Sequence, residues 1–452
     1  MTEYHFAVIG HPIAHTMSPF IHERLFSLSG RNGRYGVLDI PPEELPLKME
    51  QLNTLSGFNI TIPHKQSIIP LLDGLNEKAE FFNSVNTVKN TDGRLTGFTT
   101  DGTGFCKALE AGGADLRGRT VVLGAGGAGR VLAFEAALSG GSVTVAVRPH
   151  GLAAAEKLCA DIRTKVAGAR ADFCLLTEID GKIDLLANAT PVGMFPRTGE
   201  CPVSEEIIKK AACVFDAVYN PNETQLVKTA RKNGVRSIGG MSMLVWQAAA
   251  AHEIWYGAEF DTADIQLLCT DAVTEMKKKF GNIVLCGYMG SGKTSVGKRL
   301  AELTGRTFID MDRYIEQKEG ATISEIFAAR GEAAFRAMER ETAKELSLKS
   351  GLIVATGGGA LMDAENTAVL KENGVIVLLN ASMEAIRKRL SGDSSRPLLN
   401  GSDREETLQR LYRERMGVYR AAADFTVDAD GCVQNVTQRI LKTVNIPLIP
   451  NG

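Results

Sequence analysis

Two glycine-rich segments and a few charged side chains carry the chemistry that can be read directly from this sequence. Gly287-Tyr288-Met289-Gly290-Ser291-Gly292-Lys293-Thr294 has the spacing G-x-x-x-x-G-K-T. Such a loop turns its backbone N–H groups onto phosphate, while Lys293 reaches the β and γ groups and the Thr294 hydroxyl ligates Mg²⁺. Gly124-Ala125-Gly126-Gly127-Ala128-Gly129 carries G-x-G-x-x-G, a turn that lets a pyrophosphate approach a helix N-terminus. A dinucleotide site needs something to reduce, and Lys65 and Asp101 are candidates for a pair in which the carboxylate orients an ammonium. That ammonium would give a proton to a carbonyl oxygen as hydride arrives. Spacing alone leaves open that both are ordinary solvated residues. No histidine follows His252, so a phosphoryl acceptor in the second half must be oriented by a carboxylate. Asp310 and Asp312, at i and i+2 after an apolar run, are the candidates, although standing alone they would equally suit a surface.

Rigid elements must position these groups. Val121-Val122-Leu123 reads as a strand running into the first glycine turn. A helical pattern from Arg130 to Leu138 and a strand from Ser142 to Val147 complete a βαβ unit. Further strand candidates at 183–187, 213–217 and 235–238 imply an open parallel sheet. The second strand ends in Val147-Arg148-Pro149, with a cation where NAD-binding versions keep an acid, which favours the 2′-phosphate of NADP. A merely solvated Arg148 is the alternative. Gly57 to Lys65 reads as a strand ending in a turn with Lys65 at its tip, and Asn83 to Thr87 and Gly97 to Gly102 again place polar groups at strand ends. The charged stretch Glu275 to Gly281 closes a helical region before a new strand, Asn282 to Cys286, and the main boundary is placed there. Strands recur at 353–355 and 375–379, giving a second α/β domain.

Composition bounds the answer. A chain of 452 residues suggests about three domains. With 44% hydrophobic and 23% charged residues, disorder, collagen and coiled coil are excluded. No apolar run approaches the length of a membrane span, and Met1 to His5 lacks the start of a secretory signal, so the expected compartment is the cytoplasm with no membrane association. Eight scattered cysteines without metal spacing read as reduced thiols. A net charge of −2 offers no general field for nucleic acid. Basic and acidic residues number 25 and 31 up to residue 276, and 26 and 22 beyond it, so the second part suits anions better.

Taken together, the segments of residues 1–275 resemble shikimate dehydrogenase. Gly10-His11-Pro12-Ile13-Ala14-His15-Thr16-Met17-Ser18-Pro19 is similar to the family's substrate-carboxylate motif, with Thr16 and Ser18 as its two hydroxyl residues. The family commonly has serine at the first, a departure that leaves room for quinate as a second substrate. The resemblance implies that Asn59, Thr61, Asn86, Asp101 and Gln247 bind ring hydroxyls or the carboxylate, and that Lys65 and Asp101 are the catalytic pair. Asn188-Ala189-Thr190-Pro191 and Gly239-Gly240-Met241-Ser242-Met243 match the segments lining the nicotinamide, which assigns Thr190 and Met243 to the cofactor. Tyr219 fits the substrate-side tyrosine. The family's Asn-Arg-Thr triplet is represented by Val147-Arg148-Pro149, of which Arg148 keeps the cation.

Residues 282 to about 445 resemble shikimate kinase. The order of the P-loop, Asp310 and Asp312, Gly331-Glu332-x-x-Phe335-Arg336, Gly357-Gly358-Gly359, Ser395-Arg396-Pro397-Leu398-Leu399 and Arg415-x-x-x-Tyr419 carries that resemblance. It implies nucleotide binding by Gly290, Ser291, Gly292, Lys293, Thr294, Ser295 and the adenine-stacking Arg389, for which Arg387 or Lys388 could substitute. Thr294 and Asp310 would support the metal, and Asp312 would hold and activate the acceptor hydroxyl. Arg336 and Arg415 would clamp the substrate carboxylate, Gly358 and Gly359 would let the backbone approach the ring, and Arg396 would act from a mobile lid between Ser391 and Asp403.

The expected architecture is therefore α/β throughout. A substrate lobe (1–104 and 240–276) and a Rossmann NADP lobe (105–239) form a dehydrogenase, followed by a P-loop kinase domain (282–452) of nucleoside-monophosphate-kinase type. The expected activity is reduction of 3-dehydroshikimate with NADPH, then phosphorylation of shikimate with ATP and Mg²⁺. Other readings are a quinate-using dehydrogenase with an attached kinase and a metabolite-sensing regulator that has lost catalysis. The sequence gives no oligomeric state.

Overall fold

Uninterrupted apolar runs rich in valine, isoleucine and leucine form the strands, and where both faces are covered every position is buried, as in Asn282–Cys286 and most of Gly374–Asn380. The computed structural model describes residues 4–13, 16–195, 197–391 and 404–446. The chain divides into two compact units, 1–273 and 274–452. The divide falls inside one continuous helix, Thr262–Phe280, a few residues before the boundary placed from the sequence.

The first unit holds two sheets. Strands β1 (Tyr4–Gly10), β2 (Gly33–Asp39), β3 (Gly57–Ile60), β4 (Gly74–Leu75), β5 (Thr87–Thr91) and β6 (Arg94–Phe98) are ordered β2-β1-β3-β5-β6-β4. β1 runs parallel to both β2 and β3, with Phe6 opposite Tyr35, and β5 is antiparallel to β3 and β6. Strands β7 (Arg119–Leu123), β8 (Ser142–Val147), β9 (Arg170–Leu175), β10 (Ile183–Asn188), β11 (Ala211–Asp216) and β12 (Arg236–Ile238) form a parallel sheet ordered β12-β11-β10-β7-β8-β9. Its order reverses at β7, where the first glycine turn leaves the sheet. Length alone suggested three units. Three sheets are present, but the two in the first unit belong to one body, because helix Asp101–Ala111 packs on both Gly127–Leu138 and Gly240–Tyr256. Gly104 permits the latter approach: a Cβ there would lie 2.7 Å from the Met243 carbonyl oxygen and 2.9 Å from Gln247 Cβ.

The second unit is one parallel sheet of β13 (Asn282–Cys286), β14 (Thr307–Asp310), β15 (Leu352–Ala355), β16 (Gly374–Asn380) and β17 (Phe425–Asp428), ordered β14-β15-β13-β16-β17. Its core gathers Val284, Leu285, Ile353, Val354, Ile376 and Val377. No helix among the described residues is long and apolar enough to cross a membrane, and all eight cysteines are free.

One buried carboxylate fixes the strand ends of the parallel sheet in the first unit. Asp216 is fully buried and accepts from Thr224 Oγ1 (2.6 Å), Asn188 Nδ2 (2.9 Å) and the Val218 N–H (3.0 Å). Burial pushes its pKa up to about 6 despite these donors. Between the ordinary aspartate value and about 6, the folded protein holds a proton that the unfolded chain has released. The residue's contribution to stability therefore falls as pH rises through that window and is level above it. Relative to the parent, Asp216→Asn should gain about 1–3 kcal/mol on going from pH 4.5 to 7.5. Urea unfolding followed by tryptophan fluorescence reads the first unit alone, since both tryptophans, Trp246 and Trp255, lie there. A difference constant with pH would contradict the raised carboxyl.

Candidate active sites

The residues singled out in the first unit come together at strand ends and helix N-termini. Lys65 lies in a one-turn helix, His64–Ser67, that follows β3, where the sequence suggested a turn. Its carbonyl accepts from the Val85 N–H at 2.8 Å, tying this turn to the segment that carries Asn86. Asp101 opens helix Asp101–Ala111, where the peptide dipoles favour negative charge. Lys65 Nζ donates to Asp101 Oδ2 at 2.5 Å, with the lysine 30% and the aspartate 11% exposed. The two therefore meet as a pair, the alternative of two separate solvated residues being set aside.

Asn86 organises the surroundings of this pair. Its Nδ2 donates to Asp101 Oδ1 (2.9 Å), and Gln247 Oε1 lies at 3.5 Å. Its Oδ1 accepts from the Thr100 N–H (2.8 Å) and from Thr87 Oγ1 (3.2 Å). Asn59, on β3, donates to Thr87 Oγ1 at 3.0 Å and accepts from Tyr35. Thr61 follows β3, its N–H on the Ile9 carbonyl at 2.9 Å. Thr16 Oγ1 donates to Ser18 Oγ at 3.1 Å and accepts from the Ser18 N–H at the same distance. Tyr219 is half-buried just after β11, and burial raises its hydroxyl pKa.

The first glycine turn connects β7 to helix Gly127–Leu138. Each glycine has its own reason. Gly124 has φ +102°, and a Cβ on Gly129 would stand 2.1 Å from the Gly124 carbonyl oxygen, whereas Gly126 and Gly127 face open space. The exposed Gly126-Gly127-Ala128 segment thus presents free backbone N–H groups at a helix start, with half-buried Ala125 beside it. Gly124 N–H bonds to the Ala146 carbonyl at 2.9 Å, so the turn adjoins the end of β8, where Arg148 is exposed. Thr190 is held by Asn188 Oδ1, which accepts from its hydroxyl (2.7 Å) and its N–H (3.0 Å). Met243 sits in the first turn of helix Gly240–Tyr256, and Gln247 follows one turn later.

In the second unit a cavity of about 960 Å³ is bordered by Gly290, Ser291, Gly292, Lys293, Thr294 and Ser295 on one side and by Asp310, Asp312, Arg336, Gly358, Gly359 and Arg415 on the other. The loop needs its glycines: φ is +146° at Gly287, +76° at Gly290 and +96° at Gly292. Lys293 Nζ donates to the Gly287 carbonyl at 2.8 Å, and Thr294 Oγ1 donates to Asp310 Oδ2 at 2.8 Å. Asp312 lies in the first turn of helix Met311–Glu319, and a Cβ on Gly357 would come within 2.3 Å of its Oδ1. A Cβ on Gly359 would meet Arg336 Nη1 at 2.4 Å, so this glycine makes room for the arginine. Arg415 Nη1 and the Tyr419 hydroxyl both donate to the Gly358 carbonyl.

Arg389 borders the cavity beside the loop Gly290 to Gly292. It donates from Nη1 to Gly290 and Ser291 carbonyls (3.2 Å each) and from Nη2 to Ala429 and Gly431 (2.7 and 3.1 Å). Arg387 instead pairs with Glu405, which separates the two candidates from one another. Arg396 lies outside the described residues, as does most of the stretch proposed as a lid.

Glu339 was not picked out from the sequence. It is 2% exposed, accepts from Arg336 Nη1 at 2.5 Å, and burial raises its pKa against the pull of that arginine. The i, i+3 spacing of Arg336 and Glu339 on one helix was the available signal. Tyr35 was also missed, and nothing local marks it.

Two family models match the chain: "Shikimate dehydrogenase substrate binding domain" over residues 8–88 and "Shikimate kinase" over residues 289–445. The NADP(+) shikimate dehydrogenase of Caldanaerobacter subterraneus subsp. tengcongensis is 44% identical over 262 residues, covering 57% of this chain and 92% of that protein. The corresponding enzyme of Moorella thermoacetica is 38% identical over 274 residues, covering 59% and 92%. Among solved structures, the shikimate 5-dehydrogenase of Thermus thermophilus in complex with NADP(H) and shikimate superposes with a TM-score of 0.54 at 35% identity, covering 60% of this chain and 99% of that one. The chain therefore belongs to the shikimate dehydrogenase family through its first unit and carries a shikimate kinase domain in its second, making it a bifunctional enzyme of the shikimate pathway.

Proposed function

We propose that the two sites act on consecutive steps with the residues assigned here: the first reduces the ketone of 3-dehydroshikimate and the second phosphorylates the hydroxyl so formed. The observation that carries the residue assignment is the 2.5 Å contact of Lys65 and Asp101, built from segments 36 positions apart. NADPH supplies the hydride to the first reaction, and ATP with Mg²⁺ supplies the phosphoryl group and its neutralising charge to the second.

In the first site the Lys65 ammonium gives a proton to the ketone oxygen and regains one from solvent, while Asp101 keeps the ammonium oriented. Thr16 and Ser18 hold the substrate carboxylate, and Asn59, Thr61, Asn86 and Gln247 read the ring hydroxyls, with Tyr219 closing the substrate side. The turn Gly124 to Gly129 holds the pyrophosphate, Arg148 the 2′-phosphate, and Thr190 and Met243 the nicotinamide side. In the second site Asp312 accepts the proton of the attacking hydroxyl, and Arg336 and Arg415 hold the carboxylate against the Gly358-Gly359 backbone. Arg336 is kept in place by Glu339. Lys293 and the loop Gly290 to Ser295 hold the phosphates, Arg389 the adenine, and Arg396 neutralises charge on the transferred group. Thr294 and Asp310, already joined by a hydrogen bond, fit a magnesium ion that takes few protein oxygens and keeps water and phosphate ligands. Proximity of two sites on one chain raises the local shikimate concentration only modestly, so free diffusion between them is expected.

The threonine at position 16 favours a second reading of the substrate range, in which quinate is also oxidised. The ratio of rates on quinate and shikimate measures it.

Lys65→Ala should lower reduction of 3-dehydroshikimate by about 10²–10⁴ while phosphorylation of supplied shikimate continues, and Lys293→Ala should do the reverse. Loss of both activities from either change in a folded protein would contradict independent sites. Arg148→Ala should raise KM for NADPH about tenfold or more, by loss of a charge-assisted contact, and leave KM for NADH nearly unchanged. Equal effects on both would make Arg148 a solvated strand end.

A further inference from the structure

A continuous set of hydrogen bonds runs from the Lys65–Asp101 pair through Asn86, Thr87 and Asn59 and ends on a residue with no role in the reading above. Tyr35 lies on β2, opposite Phe6 of β1, and is 8% exposed. Its hydroxyl donates to Asn59 Oδ1 at 2.6 Å. Ser18 accepts from Thr16 at the carboxylate end of the same site. The ring is fixed from behind: it stacks on His22 with centroids 4.0 Å apart and planes 6° from parallel. His22 Nδ1 in turn lies 2.9 Å from His252 Nε2, and His252 meets the Tyr256 hydroxyl. Burial holds both imidazoles neutral, His252 with a pKa near 3, so this support does not change charge in the working range.

The consequence falls on Asn59. Both hydrogens of its Nδ2 are committed, to the Asn86 carbonyl (3.2 Å) and Thr87 Oγ1 (3.0 Å), and one of its Oδ1 lone pairs is taken by Tyr35. What the side chain has left is a single acceptor site. Thr87 and Asn86 carry the chain of bonds on to Asp101.

We propose that Tyr35 is a positioning residue for substrate recognition: its hydroxyl holds Asn59 Oδ1 and locks the Asn59 amide so that it meets the substrate solely as an acceptor for a ring hydroxyl. The proposal rests on the reading that Asn59 faces the substrate. Among the described residues its hydrogen bond goes to Asn59 and its ring contact to His22, not to the cofactor segments or Lys65, so it acts on binding of the ring and not on proton or hydride transfer.

The test is steady-state oxidation of shikimate with NADP⁺ by the full chain. Tyr35→Phe keeps the ring against His22 and leaves one lone pair of Asn59 Oδ1 without its donor. KM for shikimate should therefore rise about tenfold or more, with kcat changed less than threefold and KM for NADP⁺ unchanged. A 4-aminophenylalanine at position 35, which restores a donor, should return KM for shikimate to within about threefold of the parent. That second variant also serves if the phenylalanine form does not fold, since failure to support parent-like KM would then count against the proposal. An unchanged KM for shikimate in Tyr35→Phe, or equal rises in both KM values, would overturn it. Asn59→Ala separates the two layers. If it raises KM for shikimate while Tyr35→Phe does not, the positioning role fails and the site reading stands. If Asn59→Ala leaves KM unchanged, both fail.

Discussion

Each half of this chain depends on a carboxylate held in the first turn of a helix that follows a strand. Asp101 opens Asp101–Ala111 a few residues after β6, and Asp312 lies in the first turn of Met311–Glu319 directly after β14. The unpaired N–H groups and aligned peptide dipoles of a helix start favour negative charge there. An acceptor is thus held at a helix start, buried at Asp101 and half-buried at Asp312. Around Asp101 the remaining groups are satisfied by one ammonium and one amide, Lys65 and Asn86. Around Asp312 the space is cleared by Gly357, where any side chain would collide with the carboxylate.

Close approach is the other recurring device, and it explains which glycines matter. Gly104 lets two helices touch so that Gln247 reaches Asn86; Gly129 lets helix Gly127–Leu138 rest on its own turn; Gly359 leaves the volume that Arg336 fills. Gly126 and Gly127 differ, since a side chain there would meet only open space. Internal packing therefore does not require glycine at these two positions, and the dinucleotide reading does. The distinction is physical and testable position by position, although the sequence shows only G-x-G-x-x-G.

Legibility followed the range of the interactions. The P-loop and the first glycine turn were readable because spacing, strand and helix lie within about twenty residues of one another. The parallel sheets were readable from apolar runs such as Ile183 to Ala187, and the Lys65–Asp101 pair followed from the family resemblance where spacing alone left it open. Contacts that depend on strand order or helix packing were not readable. Tyr35 meets Asn59 because β1 lies between β2 and β3 in the sheet, and His22 meets His252 across 230 positions. The turn expected at Lys65 is a single helical turn, a distinction too short for periodicity to make. The count of units differed for a related reason: helix-to-helix contact merges two lobes into one body, and length carries no information about that contact.

The central claim is that one chain performs two consecutive steps on one molecule. The direct measurement incubates the purified chain with 3-dehydroshikimate, NADPH, ATP and Mg²⁺, follows cofactor oxidation and identifies products by mass. Shikimate should accumulate without ATP, shikimate 3-phosphate should form only when both NADPH and ATP are present, and neither should form without NADPH. Oxidation of NADPH with no phosphorylated product under any condition would contradict the account, leaving a dehydrogenase joined to a kinase domain that acts on something else.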